Sequence, residues 1–211
     1  MQIKLCGLTR REDIMLACRL GVNALGFILA PSPRQVSLAD VRVLTVDLPP
    51  FIQRVAVVVN PDKRELKEII TSGLFDYIQF HGEEEPEVIA GTPLKTIKAF
   101  SISSRDDFTL LKKYDAADYF LFDSKSSSKK GGTGLSFDWE LLKGLKINKP
   151  FILAGGLGPE NIGTALKRIK MAGIDLNSKV ESSPGVKDPD LLNKAIREIR
   201  EFQLNYGKET G

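Results

Sequence analysis

Residues 151–162 read FILAGGLGPENI. The opening apolar run has no polar alternation, which suits a strand buried on both faces, as in a parallel sheet covered by helices. Gly155 and Gly156 break that run. Gly158-Pro159 with Glu160 and Asn161 then opens a helical stretch, because proline is well tolerated in a first turn. Strand, glycine turn and helix follow one another directly, making one βα unit.

Working outward, the same unit recurs along the chain. Strands are predicted at Gln2–Leu5, Ala24–Ile28, Arg54–Val59, Tyr77–Phe80, Leu94–Ala99, Tyr119–Phe122, Phe151–Ala154 and Ile174–Asn177. Helices are predicted near Arg11–Leu20, Leu38–Val46, Asp62–Thr71, Glu84–Ile89, Asp106–Lys112, Asp138–Leu142, Glu160–Ile169 and Asp190–Tyr206. Thr9 followed by Glu12 predicts a capping box, and Asn60-Pro61 places proline near another helix start. Eight strands alternating with eight helices in 211 residues predict an α/β fold, the parallel eight-stranded (β/α)8 TIM barrel. An open doubly wound sheet is the alternative, although it usually needs fewer units. No linker or composition shift cuts the chain, so residues 1–211 are expected to form one barrel domain. Residues 124–134, SKSSSKKGGTG, are the low-complexity stretch, and their Gly, Ser and Lys content predicts a mobile loop after the sixth strand.

Bulk properties narrow the function. With 30 basic and 27 acidic residues the formal charge is only +3, which argues against nucleic acid as a partner. Cys6 and Cys18 make no disulfide framework, which suits a reducing cytoplasm. The N-terminus lacks the order of a signal peptide, and no apolar run reaches the roughly 18–20 residues of a membrane helix. A soluble, cytoplasmic protein is expected, without a membrane partner.

In a βα barrel the chemistry lies at the C-terminal ends of the strands and in the loops that follow. The unusual residues fall there. Gly155 and Gly156 let backbone approach a ligand, and the helix start beyond them favours an anion. Ser178 and Lys179, in the loop after the eighth strand, add a hydroxyl and an ammonium, so a phosphate between these two loops is expected. Two glycine turns of purely structural value are the plainer alternative. Cys6 should point into the barrel mouth, where its thiolate would serve as a general base; most free cysteines are simply buried and inert. Asp123 ends YFLFD, where a carboxyl kept protonated by apolar surroundings would act as a general acid, or would merely start a turn. Arg34 would clamp a carboxylate with its forked donors, unless it is an ordinary exposed loop arginine. His81, the single histidine, would contact ligand or brace its loop. It has no second ligand at metal spacing, and no metal is expected. Lys129 and Lys130 would attract an anionic substrate or lie solvated. Cys18 reads as packing.

These segments together resemble the phosphoribosylanthranilate isomerase family along almost the whole chain. The matching pieces occur in the family's order: Lys4-Leu5-Cys6-Gly7-Leu8-Thr9, Gly26-Phe27, Ser32-Pro33-Arg34, Val55 to Asn60, Gln79-Phe80-His81-Gly82-Glu83, Phe122-Asp123, Gly131-Gly132-Thr133-Gly134, Phe137-Asp138-Trp139, Leu153 to Leu157 with Pro159-Glu160-Asn161, and Ser183 to Asp188. The resemblance implies Cys6 as general base and Asp123 as general acid, with Arg34 holding the anthranilate carboxylate. It also implies backbone near Gly155, Gly156 and Ser178 holding phosphate, Asp175 in support, and Gly131 to Gly134 as a closing lid. The reaction implied is an Amadori rearrangement of N-(5-phosphoribosyl)anthranilate in tryptophan biosynthesis, with no cofactor, in a monomer or homodimer. Two departures stand out. Asp175-Leu176-Asn177-Ser178-Lys179-Val180-Glu181 replaces the family's Asp-Val-Ser-Ser-Gly-Val-Glu, and Phe80 replaces the usual leucine. Were a positive φ required at Lys179, the lysine would cost roughly 1 kcal/mol or more; alternatively its ammonium approaches the phosphate. Two rivals remain: a related barrel isomerising another phosphosugar, such as the histidine-pathway aminoaldose, and a silent phosphosugar-binding barrel with a regulatory partner.

Overall fold

The period-two alternation of the eight short strands decides which side chains face one another. In the computed structural model, which describes residues 1–124, 139–142 and 147–209, these strands form one closed parallel barrel. They are β1 (Gln2–Leu5), β2 (Ala24–Ile28), β3 (Gln53–Val58), β4 (Tyr77–Phe80), β5 (Lys95–Ile102), β6 (Tyr119–Ser124), β7 (Phe151–Leu153) and β8 (Gly173–Leu176). Closure comes from β8 pairing with β1, with Lys4 beside Asp175 and Leu5 beside Leu176. The expected (β/α)8 fold is what the chain adopts.

Alternation splits the apolar residues into two sets. Ile3, Leu5, Leu25, Phe27, Phe80, Phe120 and Phe122 face outward to the helices and belong to the main core. Cys6, Val55, Val57, Ile97, Ala99, Leu121 and Ala154 line the barrel interior. On the outer side, Phe100 meets Phe120 edge-on at 5.2 Å between ring centres, and Phe122 lies 5.1 Å from Phe151. Such pairs contribute about 0.5–1.5 kcal/mol each beyond area burial. Cys18 packs against this outer core as predicted.

The helices are α1 (Arg11–Arg19), α2 (Leu38–Leu44), α3 (Lys63–Thr71), α4 (Pro86–Ala90), α5 (Ile162–Arg168) and α6 (Pro189–Glu209). Two predicted helices are 3-10 segments instead, Arg105–Tyr114 and Trp139–Leu142. The capping box expected at Thr9 does not form: Arg10 is the N-cap, and the Thr9 hydroxyl donates to the Gly185 carbonyl at 2.7 Å. That long-range bond ties the loop after β1 to the loop after β8. At α3 the cap is Asp62, one residue beyond Asn60-Pro61, and it forms a full capping box with Glu65. The α5 helix starts later than predicted, after Asn161, whose side chain accepts from the Gly158 N–H. The predicted mobile loop and lid, with Lys129, Lys130 and Gly131 to Gly134, lie outside the described residues.

Candidate active site at the C-terminal mouth of the barrel

On β1, Lys4 and the following Cys6 point inward because they are two residues apart. Gly26 of the neighbouring strand leaves room for both: a β-carbon there would stand 2.9 Å from Cys6 Sγ and 3.1 Å from Lys4 Nζ. Lys4 Nζ donates to Asp175 Oδ2 at 2.8 Å, and both side chains are almost fully buried. Burial works against the Lys4 charge, but Asp175 and then Cys6 outweigh it and hold the ammonium's pKa up. On Cys6, burial pushes the thiol pKa up; Lys4 opposes, Asp175 reinforces and Lys187 opposes. A buried thiol with two ammonium groups near it is a group whose proton can be moved by small changes in its surroundings.

Across the mouth, Asp123 lies near the end of β6. It does not sit in the apolar pocket expected for a carboxyl kept neutral by burial. Its side chain is 32% exposed, and Oδ2 lies 3.4 Å from His81 Nε2. His81 follows β4, its N–H continuing the ladder to the Val58 carbonyl. Its other ring nitrogen, Nδ1, is 2.9 Å from Gln79 Nε2. Below that loop, Glu84 accepts from the Asn60 and Gly82 N–H groups at 2.9 Å each, while the buried Lys98 ammonium bonds Glu84 at 2.8 Å and the Gly82 carbonyl at 2.6 Å. This closed set of bonds holds the segment carrying His81.

Arg34, in the loop after β2, is not a free surface arginine. Its Nε donates to Glu181 at 2.9 and 3.0 Å and its Nη2 to the same carboxylate at 2.5 Å. Glu181 also accepts from Lys187 Nζ at 2.7 Å, and Lys187 reaches Asn177 Oδ1 at 3.1 Å. Burial would raise Glu181, but Arg34 and Lys187 together hold its carboxyl below the usual range. The cluster orients the guanidinium at the rim of the mouth.

The glycine turn after β7 takes the backbone form expected of it, with φ of +85° at Gly155 and +61° at Gly156. Gly158 meets the loop after β8: a β-carbon there would stand 2.8 Å from Lys179 Cβ and 3.2 Å from the Lys179 carbonyl oxygen. Loops seven and eight are therefore in contact. Lys179 and Ser178 are exposed in a short 3-10 turn, Ser178–Val180. Lys179 is not among the residues with positive φ, so the strain that the replacement of glycine would bring is absent.

The predicted residues Cys6, Asp123, Arg34, His81, Asp175, Gly155, Gly156, Ser178 and Lys179 thus all lie at the C-terminal end of the strands or in the loops after them. Lys4, Gln79, Glu181 and Lys187 were given no role in the sequence reading. A period-two signal was available for the first two, since Lys4 precedes Cys6 and Gln79 precedes His81 by two residues on a strand. Glu181 and Lys187 meet Arg34 only through the fold.

A closed βα barrel with a thiol, carboxyls and a buried cation converging at its mouth fits one class, that of TIM-barrel enzymes. The sequence model of the N-(5'phosphoribosyl)anthranilate (PRA) isomerase family matches residues 3–198. The N-(5'-phosphoribosyl)anthranilate isomerase of Petrotoga mobilis is 51% identical over 205 residues, covering 97% of this chain and 99% of the relative. That of Pseudomonas putida strain F1 is 37% identical, covering 94% and 97%. The phosphoribosyl anthranilate isomerase from Thermotoga maritima superposes with a TM-score of 0.88 at 32% identity, covering 95% of this chain and 99% of that one. A phosphoribosyl anthranilate isomerase in complex with reduced 1-(o-carboxyphenylamino)-1-deoxyribulose 5-phosphate superposes with a TM-score of 0.85 at 30% identity, covering 95% and 99%. The chain belongs to the PRA isomerase family, and it is an isomerase of tryptophan biosynthesis.

Proposed function

We propose that this chain converts N-(5-phosphoribosyl)anthranilate to 1-(2-carboxyphenylamino)-1-deoxyribulose 5-phosphate, with Cys6 as general base and Asp123 as general acid. The observation that carries the reading is the convergence of an inward thiol just after β1 and a carboxyl near the end of β6 at one mouth, each backed by its own partners. Asp123 gives its proton to the ribose ring oxygen as the C1–O bond breaks, leaving a protonated imine. The positive nitrogen acidifies the C2 hydrogen, which the Cys6 thiolate removes, and the electron pair of that C–H bond neutralises the imine. The enolamine takes a proton at C1 and loses one from the C2 hydroxyl to become the ketone. The substrate's own nitrogen is the electron sink, so no cofactor is invoked.

Substrate is held at its two ends. Arg34, oriented by Glu181, takes the anthranilate carboxylate in a forked bond. The left-handed turn at Gly155 and Gly156 and the backbone near Ser178 take the phosphate, with the exposed Lys179 ammonium adding local positive potential. Asp175 keeps Lys4 charged beside the thiol. The contact between Gly158 and Lys179 supports a single anion pocket shared by loops seven and eight. The lead experiment follows the loss of anthranilate-type fluorescence when purified protein meets N-(5-phosphoribosyl)anthranilate. Rapid loss without added metal or cofactor is expected, and no turnover under those conditions would remove the proposal.

The partner at the opposite end of the barrel is read as a second copy of the chain. Phe51, Val43 and Val46 lie around the connection from α2 to β3 and are 93%, 70% and 69% exposed. At the same end opens a cavity of about 290 Å³ whose lining joins Val55, Tyr77, Ile97, Tyr119 and Ile152 with polar groups such as Asn23 and Gln53. An exposed apolar cluster beside a cavity favours an interface. A structure of monomers generated from the dimeric phosphoribosylanthranilate isomerase of Thermotoga maritima, 29% identical with a TM-score of 0.84, supports the homodimer reading through the parent enzyme, which is described as dimeric.

A further inference from the structure

Gln79 is 1% exposed, inside the barrel and two residues before His81. Its amide N–H points at His81 Nδ1, so Nδ1 must present its lone pair. The proton of the neutral ring then sits on Nε2, the nitrogen that lies 3.4 Å from Asp123 Oδ2. The other end of the amide is unusual. Gln79 Oε1 is buried and has no hydrogen-bond partner among the described residues. No described protein group fixes that acceptor in place. A side-chain amide interchanges its N–H₂ and carbonyl by turning about its terminal torsion, which is broadly two-fold. With Oε1 unheld, that turn trades one hydrogen bond to Nδ1 for another.

We propose that Gln79 is a positioning residue: by turning its amide it sets the tautomer of His81, so that the ring can form a hydrogen bond with Asp123 in either of the carboxyl's protonation states. When Asp123 is ionised, Nε2–H donates to the carboxylate and the Gln79 N–H donates to Nδ1. When Asp123 carries its proton, the carboxyl O–H donates to Nε2, and Nδ1–H donates to Gln79 Oε1. Passing between them, the ring releases a proton at one nitrogen and gains one at the other through solvent, to which His81 is 30% exposed. The ring's proton count is unchanged, and no bond is made or broken at Gln79. The inference rests on reading Asp123 as the general acid, which must be recharged once per turnover.

His81 is the only histidine in the chain, so its imidazole nitrogens can be read without assignment by ¹⁵N NMR. With the ring neutral, the native protein should show the Nε2–H tautomer. Gln79→Glu, which in its carboxylate form can only accept, should move the ring to the form protonated at Nδ1. Gln79→Met should lower kcat about tenfold with KM changed less than about twofold, the size expected for losing a supporting hydrogen bond. An unmoved tautomer in Gln79→Glu, or native kcat in Gln79→Met, would overturn the assignment. Asp123→Asn, assayed in parallel, separates the two ideas. Loss of turnover there beside native kcat in Gln79→Met removes the relay alone, whereas full turnover in Asp123→Asn removes the general acid itself, and the relay's catalytic purpose with it.

Discussion

At Cys6 two effects oppose each other: burial favours the neutral thiol, while Lys4 and Lys187 favour the thiolate. Deprotonation of the free enzyme's base should appear as a rising limb of kcat/KM with pH. Removing the Lys4 charge leaves burial and Asp175, both of which raise the thiol's pKa. Lys4→Met should therefore move that limb to higher pH, measured with the fluorescent substrate; an unmoved limb would show that Lys4 does not tune the base. Lys179 offers a second test at this scale. Because its backbone φ is not positive, Lys179→Gly relieves no strain and only loosens the unfolded chain. It should destabilise by up to about 1 kcal/mol in urea unfolding. A gain in stability would contradict the backbone reading. The inward position of Lys4 follows from strand alternation, but neither its pairing with Asp175 nor the relaxed backbone of Lys179 is legible in the sequence. A lysine on a strand says nothing of the carboxylate on another strand that closes against it, and a glycine replaced in a loop reveals strain only through its dihedral angle.

The loop from β4 to α4 is the element on which His81 depends, and the Lys98–Glu84 pair holds it. Burial pushes the Glu84 carboxyl up, but the Lys98 hydrogen bond and the Asn60 N–H pull it below the usual range. A lowered folded pKa means that this pair's stabilisation is full above the unfolded carboxylate value, near 4.3, and is lost as pH falls through the folded value. Lys98→Met strands a buried carboxylate and should cost about 3–5 kcal/mol at neutral pH, with the deficit shrinking in acid. Thermal unfolding across pH 3–7 checks this, and a deficit independent of pH would contradict it. Strand positions were legible because apolar runs and alternation come from local sequence. The same pattern predicts a helix near Asp106–Lys112, yet the segment Arg105–Tyr114 is 3-10. Period alone does not separate those two helices in a short segment. Thr9 was misread as a cap because its competing partner, Gly185, lies 176 positions away.

At the scale of the whole molecule, the barrel gathers the candidate site residues at one end and exposes Val43, Val46 and Phe51 around the connection from α2 to β3. Phe51→Asp should convert a dimer to a monomer in size-exclusion chromatography with light scattering, leaving kcat near native; a wild-type monomer would end the dimer proposal. The positions of the candidate site residues were legible because a barrel gathers the C-terminal ends of its strands, so a residue's place in the βα order predicts its place in space. The partners that tune those residues come from other strands and loops and were not. The central claim is that the thiol just after β1 and the carboxyl on β6 split two proton transfers on one substrate. Its most direct measurement is the kcat of Cys6→Ala and Asp123→Asn on N-(5-phosphoribosyl)anthranilate. Each should fall at least ~100-fold with binding of the reduced product analogue nearly unchanged, whereas native turnover in either variant would contradict the division of labour.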